Sequence, residues 1–259
     1  MNVDPSNYSL LTIFAVSLAV ILAGSEIGRW LGGRVAQRGA DGVSTLEGAI
    51  LGLLALMIGF TFAMALSRFE SRRDAVLAEA NAIGTTALRA RLLPAPHGSE
   101  SIKLLREYVK IRLEITQQPA SAEAFAAMLT RSSAIQEALW QQAKAVAAKD
   151  SAMVPTGVFI QSLNEMIDNQ EKRLAAFYNR LPLVILGALY GVSFIAVAFA
   201  GYTSGLQSRH SRLPVYITAI LVAAMVLLIQ DLDRPGAGFI EVSQQPMINT
   251  AASLATYPD

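Results

Sequence analysis

The chain has 259 residues, of which 53% are hydrophobic and only 16% charged, against roughly 25% charged in soluble domains. A formal net charge of +1 supplies no broad field for nucleic acid or for an acidic substrate. With no cysteine and two histidines, His97 and His210, disulfides, thiolate chemistry and histidine-rich metal centres are excluded; a metal would need oxygen ligands, and no cofactor is implied.

A bilayer core of about 30 Å needs roughly 20 apolar residues in a helix. Pro5 to Ser25 is the first such run, uncharged between Asp4 and Glu26. Its leader, MNVDPSNYS, has no Lys or Arg, so a retained span is expected rather than a cleaved signal. The second run is Gly48 to Ser67, with Thr45 as an expected N-cap. No proline interrupts the sequence beyond it, and one helix is expected from about Leu46 to about Leu92, half in lipid and half in water. Along it Phe62, Leu66, Phe69, Val76, Ala80, Ile83 and Ala87 recur at helical spacing, with Arg73 interrupting.

Residues 68–181 differ in kind. They hold 15 of the 21 Lys and Arg and 12 of the 20 Asp and Glu, and their Ala, Leu, Glu, Gln and Arg favour helix in water. Breaks at Pro94 and Pro96, near Gln117 to Ser121 and near Asp150 to Pro155 divide this segment into about four helices. Ser121 is an expected N-cap and Pro155 suits a first helical turn. Phe159, Leu163, Met166 or Ile167, Leu174 and Phe177 or Tyr178 form a stripe matching the one on the long helix, for packing within one subunit or at a subunit interface. Two further apolar runs close the sequence, Leu181 to Ser208 and Leu213 to Gln230. Tyr8, Trp30, Tyr178, Tyr202 and Tyr216 stand near the span ends, as an interfacial belt would.

The expected fold is all-α: a polytopic membrane protein with four transmembrane helices and a helical bundle between the second and third. The divisions are 1–67 for the first helix pair, 68–181 for the bundle, 182–230 for the second pair and 231–259 for a C-terminal tail. Basic residues in short loops set orientation. Arg29, Arg34, Arg38, Arg209 and Arg212 sit in the two short loops, which places the bundle outside the cytoplasm of a bacterial inner membrane. Against this, Arg68, Arg72, Arg73, Lys172, Arg173 and Arg180 crowd the membrane on the bundle side.

The exit of the last span, DLDRPGAGFIEVSQQP, places Asp231 and Asp233 where a helix ends. The partial negative charge there disfavours each acid by about 0.3–1 kcal/mol. Ion pairs with Arg68, Arg72, Arg73, Arg180 and the adjacent Arg234 would offset this and clasp the span ends together. The functional alternative is a vestibule in which these charges bind ions. In the second span Ile58, Phe62 and Leu66 share one helix face; repeated around an axis they would form a hydrophobic neck, though such stripes more often meet lipid or other helices. Gly52, Ala55, Gly59 and Ala63 on an adjoining face permit close helix approach. Both histidines lack evident partners, and no enzyme motif is present.

The order of two spans, helical domain and two spans, the segment SRFESRRDAVLAEANAIGTTALRARLLP and the exit DLDRPGAGFIEVSQQP together resemble a bacterial bestrophin-like membrane family. True bestrophins, a more distant likeness, are pentameric channels, mainly for anions, whose second span lines a hydrophobic neck. The resemblance implies that Ile58, Phe62 and Leu66 form that neck in a homo-oligomer, with the bilayer and small inorganic anions as partners and no nucleic acid. The acid-rich calcium-clasp run of bestrophins is absent after the fourth span, so calcium gating is not implied. The competing readings are a stator-like or proton-conducting subunit, which lacks an acid in mid-membrane, and a non-conducting scaffold or sensor.

Overall fold

The computed structural model describes residues 9–35, 43–117, 121–149, 154–206, 212–236 and 238–258. Tyr8, Arg38, Arg209 and His210 lie outside these residues, as do parts of the expected breaks, 118–120 and 150–153. Among the described residues there are eight helices and no strand: α1 (Leu10–Val35), α2 (Val43–Ala90), α3 (His97–Gln117), α4 (Ala122–Ala147), α5 (Val154–Tyr178), α6 (Leu183–Leu206), α7 (Leu213–Asp233) and α8 (Gln245–Ala255). The fold is all-α, and four helical segments are long and apolar enough to cross a membrane. This is a multi-pass membrane protein. The 48-residue α2 runs unbroken, as the absence of proline requires; its start at Val43 puts Thr45 inside the helix rather than at its cap. Ser121 does cap α4, its side chain accepting from Ala124 N at 3.2 Å.

The residues divide into two compact units, each with its own core. The first comprises Met1–Phe69 and Arg180–Glu241. Its apolar core joins Ile21 of α1, Leu54 and Ala65 of α2, Leu189 and Val197 of α6, and Ala223 and Ile229 of α7. The crossing of α1 and α6 is the tightest contact in this unit, and glycine permits it. A Cβ at Gly28 would stand 1.8 Å from the Ala198 carbonyl oxygen, and one at Gly32 2.1 Å from that of Tyr202. From the other side, a Cβ at Gly201 would stand 2.1 Å from the Ser25 carbonyl oxygen, and one at Gly205 2.3 Å from that of Arg29. Backbone against backbone is the packing that small residues at every fourth position allow in membranes, where apolar side chains gain little over lipid.

The second unit comprises Glu70–Asn179 and Val242–Asp259. Four helical segments, the distal part of α2 with α3, α4 and α5, enclose Ile83, Leu105, Leu139, Phe159, Leu163 and Met166. Inside this one subunit the distal part of the α2 stripe, Ala80, Ile83 and Ala87, shares a core with Phe159, Leu163 and Met166 of the α5 stripe; beside them Thr86 Oγ1 of α2 donates to the Ser162 carbonyl of α5 at 3.0 Å, and Arg89 Nη1 to that of Val158 at 2.9 Å. The C-terminal segment adds α8, which buries Met247 and Leu254 in the bundle core. Arg106 holds its end through the carbonyls of Leu254 and Tyr257, and the Arg91 guanidinium lies 4.6 Å over the Tyr257 ring.

Candidate functional site

In the membrane part of α2, Leu54, Thr61 and Ala65 face inward and are buried. Ile58 and Phe62 are half-buried and pack in part against the span core, and Leu66 is half-buried. The adjoining face is open: Gly52, Ala55, Gly59 and Ala63 are exposed, and no atom lies within 4 Å of where a Cβ of Gly48, Gly52 or Gly59 would stand. Leu53, Leu56 and Phe60 are each more than half exposed. One protomer therefore leaves the small-residue face of its second span uncovered.

At the end of α7 the acids that sequence places unfavourably are buried, Asp231 to 3% exposure and Asp233 to 8%. Backbone amides supply part of the compensation. Phe239 N and Ile240 N donate to the two oxygens of Asp231 at 2.8 and 3.1 Å. Leu181 N, just ahead of α6, donates to both oxygens of Asp233 at 2.9 and 3.1 Å. Such charge-assisted bonds are stronger than those between neutral groups. They require the chain to fold back sharply: Gly236 has φ +71°, and a Cβ on Gly238 would lie 2.1 Å from Asp231 Oδ1. Arg234, extended after the helix, is buried. Arg68 is half-buried and donates to the Met64 carbonyl at 3.2 Å, and Arg180 is exposed. Arg72, buried, and Arg73, exposed, belong to the second unit.

The second unit contains a buried ionic cluster that local sequence patterns do not reveal. Glu79 on α2 is fully buried between two guanidinium groups: Arg112 Nε of α3 at 2.7 Å and Arg173 Nη1 of α5 at 2.6 Å. Tyr108 OH lies 2.9 Å from Glu79 Oε1 and 2.7 Å from the Gln170 carboxamide, which also meets Gln136 at 3.1 Å. Arg173 reaches on to Gln244 at 2.9 Å, ahead of α8. Burial pushes the Arg173 guanidinium down from its ordinary range, against the upward pull of Glu79. Burial, and then the Glu79 charge, raise the Tyr108 phenol well above its usual value. His97 begins α3 and pairs through Nδ1 with Gln142 at 2.8 Å, so it has a structural partner where sequence offered none.

A family model for the bestrophin-like domain matches residues 12–247. The chain belongs to the bestrophin-like family. Its structure is similar to a crystal structure of a bacterial bestrophin homolog from Klebsiella pneumoniae carrying a point mutation, with TM-score 0.72 and 14% identity over 95% of this chain and 96% of that one. The same homolog, solved by zinc phasing, gives TM-score 0.68 at 13% identity over 96% of this chain and 100% of the other. At such identity the likeness establishes a shared fold. Curated protein sequences give no match.

In this bestrophin-like chain the Tyr108 shift sets an alkaline limit on the bundle. Its unfolded phenol ionises near 10.0, the ordinary tyrosine value. Below that pH both states keep the proton and the contribution to stability is complete. As pH rises past it the unfolded chain alone releases the proton, and stability falls until the raised folded value is reached. The unfolding midpoint in detergent should therefore drop steeply above about pH 10, and Tyr108→Phe should flatten that drop while lowering the midpoint at neutral pH. An unchanged alkaline slope in the variant would assign the effect elsewhere.

Proposed function

We propose that this bestrophin-like protein is a homo-oligomeric ion channel of a bacterial inner membrane, passing small anions through a pore lined by α2. The observation that carries the reading is the uncovered small-residue face of the second span. Of the four membrane spans its most apolar window is the least buried within the protomer, 17% against 28–33% for the others. Glycine and alanine at helical spacing suit close packing of like helices around an axis far better than they suit lipid. Family membership supports the same architecture, and the resemblance to bestrophins favours a ring of five. Ile58, Phe62 and Leu66, rising along α2, are the proposed hydrophobic neck, which gates by dewetting because water leaves a narrow apolar constriction readily. Loop charge favours a bundle outside the cytoplasm, and protease access to a tagged C-terminus in intact cells tests that orientation.

Purified protein in planar bilayers should conduct. Phe62→Ala removes the largest side chain of the neck and should raise open conductance or the open fraction several-fold, since the dewetting barrier falls steeply with radius. Silent bilayers from correctly assembled wild-type protein would refute the channel reading.

A further inference from the structure

We propose that Arg34, stacked on Trp30 at the end of α1, is a headgroup site for an anionic phospholipid, the guanidinium taking the phosphate and an apolar stripe of the same helix taking the chains. The inference lies wholly within the first unit and holds whether or not the protein conducts. The Arg34 Cζ atom sits 3.6 Å from the centroid of the Trp30 ring. Stacking of this kind fixes a guanidinium in place and leaves its N–H edge to a phosphate, which it meets through two parallel bonds. Among the described residues Arg34 has no hydrogen-bond partner and no carboxylate within ion-pair distance. The other described arginines at this end of the unit are engaged: Arg29 Nη1 donates to Ser204 Oγ at 3.2 Å, and Arg212 Nη1 lies 3.9 Å from Glu26 Oε2. The negative end of the helix dipole favours any cation in this last turn; the ring decides where the charge is held.

The depth suits a phosphate. α1 is uncharged as far as Ser25, where hydrocarbon gives way to headgroups, and the headgroup layer is about 5–7.5 Å deep on each side of a bilayer. Trp30 stands five residues beyond Ser25, about 7.5 Å along the axis. Helical side chains lean towards the N-terminus, so Arg34 reaches back one turn to that level.

Val16, Val20, Ile27, Trp30 and Leu31 are exposed and fall with Arg34 inside a sector of about 100° around α1, turned away from the glycines that seat this helix on α6. Membrane helices meet one another through small residues. Along this sector between Val16 and Arg34 only Ala23 is small, whereas α2 presents Gly52, Ala55, Gly59 and Ala63. The stripe is therefore a surface for acyl chains. A lipid lying along it ends in its headgroup at Arg34, and the cation selects one of net negative charge.

Lipid carrying bromine high on its chains quenches a tryptophan that it touches. The test therefore compares brominated phosphatidylglycerol with brominated phosphatidylcholine around the full-length protein in vesicles. Trp30 and Trp140 are the only tryptophans, so a Trp140→Phe background leaves Trp30 alone to emit. With Arg34 present, phosphatidylglycerol should be preferred at Trp30 by about fivefold. Arg34→Gln should bring the two lipids to parity with quenching retained, Arg34→Lys should fall between, and Arg212→Gln should keep the preference. Parity with Arg34 present, or a preference that survives Arg34→Gln, overturns the site. An equal loss in Arg212→Gln overturns it in favour of a diffuse basic field, and a Trp30 that neither lipid quenches overturns it in favour of a protein contact. Should Trp140→Phe fail to fold, the difference in quenching between the unsubstituted protein and Trp30→Phe isolates the same signal.

Discussion

Glu79→Gln is expected to be the most destabilising single substitution in the bundle. Glu79 is the carboxylate between Arg112 and Arg173, all three being buried or nearly so. The glutamine keeps the shape but not the charge, leaving two guanidinium groups in a poorly solvated interior facing a neutral acceptor. Removing one partner of a buried ionic group costs about 3–5 kcal/mol, because the remaining charge stays desolvated and uncompensated. The three residues lie on α2, α3 and α5, so the loss loosens several helix pairings together. For a chain of this size the thermal midpoint in detergent should fall by about 10 °C. Replacing Arg173 with Met in the same background should restore part of it, since one unpaired charge is then removed. A Glu79→Gln midpoint within 2 °C of wild type, by the precision of such measurements, would show that the cluster is not what holds the bundle.

Gly28→Val should have a comparable effect in the membrane unit. Even a Cβ at this position falls 1.8 Å from the Ala198 carbonyl oxygen, and that neighbour is backbone, which no rotamer change moves aside. Overpacking in a tight core ordinarily costs about 1–3 kcal/mol and more where nothing yields. Here α1 must separate from α6, and the contacts at Gly32, Gly201 and Gly205 are lost with it. Folded yield and thermal midpoint in mild detergent should both fall sharply. Gly33→Ala is the control: it is on the same helix, one residue from Gly32, with nothing within 4 Å of its Cβ position, and should behave as wild type. Equal behaviour of the two variants would mean that the crossing tolerates a wider separation.

The glycines of this crossing were open to inspection in the sequence. Gly24, Gly28 and Gly32 are spaced by four in an apolar run, as are Gly201 and Gly205, and that spacing is the known signal for close membrane helices. What the spacing does not supply is the partner, since the small face of α2, at Gly52, Ala55, Gly59 and Ala63, has a similar pattern and stays open in the protomer. Helix pairing depends on which faces the loops bring together, and a single helix face holds no record of that. The exit acids make the same point in another way. Their unfavourable place at the end of α7 was evident from local charge, and arginines were the partners in view. The amides of Phe239, Ile240 and Leu181 carry no mark in the sequence, because every residue but proline has one and only the turn of the chain decides where it points.

Four apolar spans, an α2 without a break and a helical bundle between the second and third spans were all legible in the sequence. Those features follow from hydropathy, charge and the presence or absence of proline, which act over neighbouring residues. The tertiary structure alone decided that Glu79 meets Arg112 and Arg173, and that α1 seats on α6 with backbone touching backbone. It also decided that α8 closes onto the bundle. Each of these is a meeting of residues distant in the chain, where desolvation and close packing act only once the helices have been brought together.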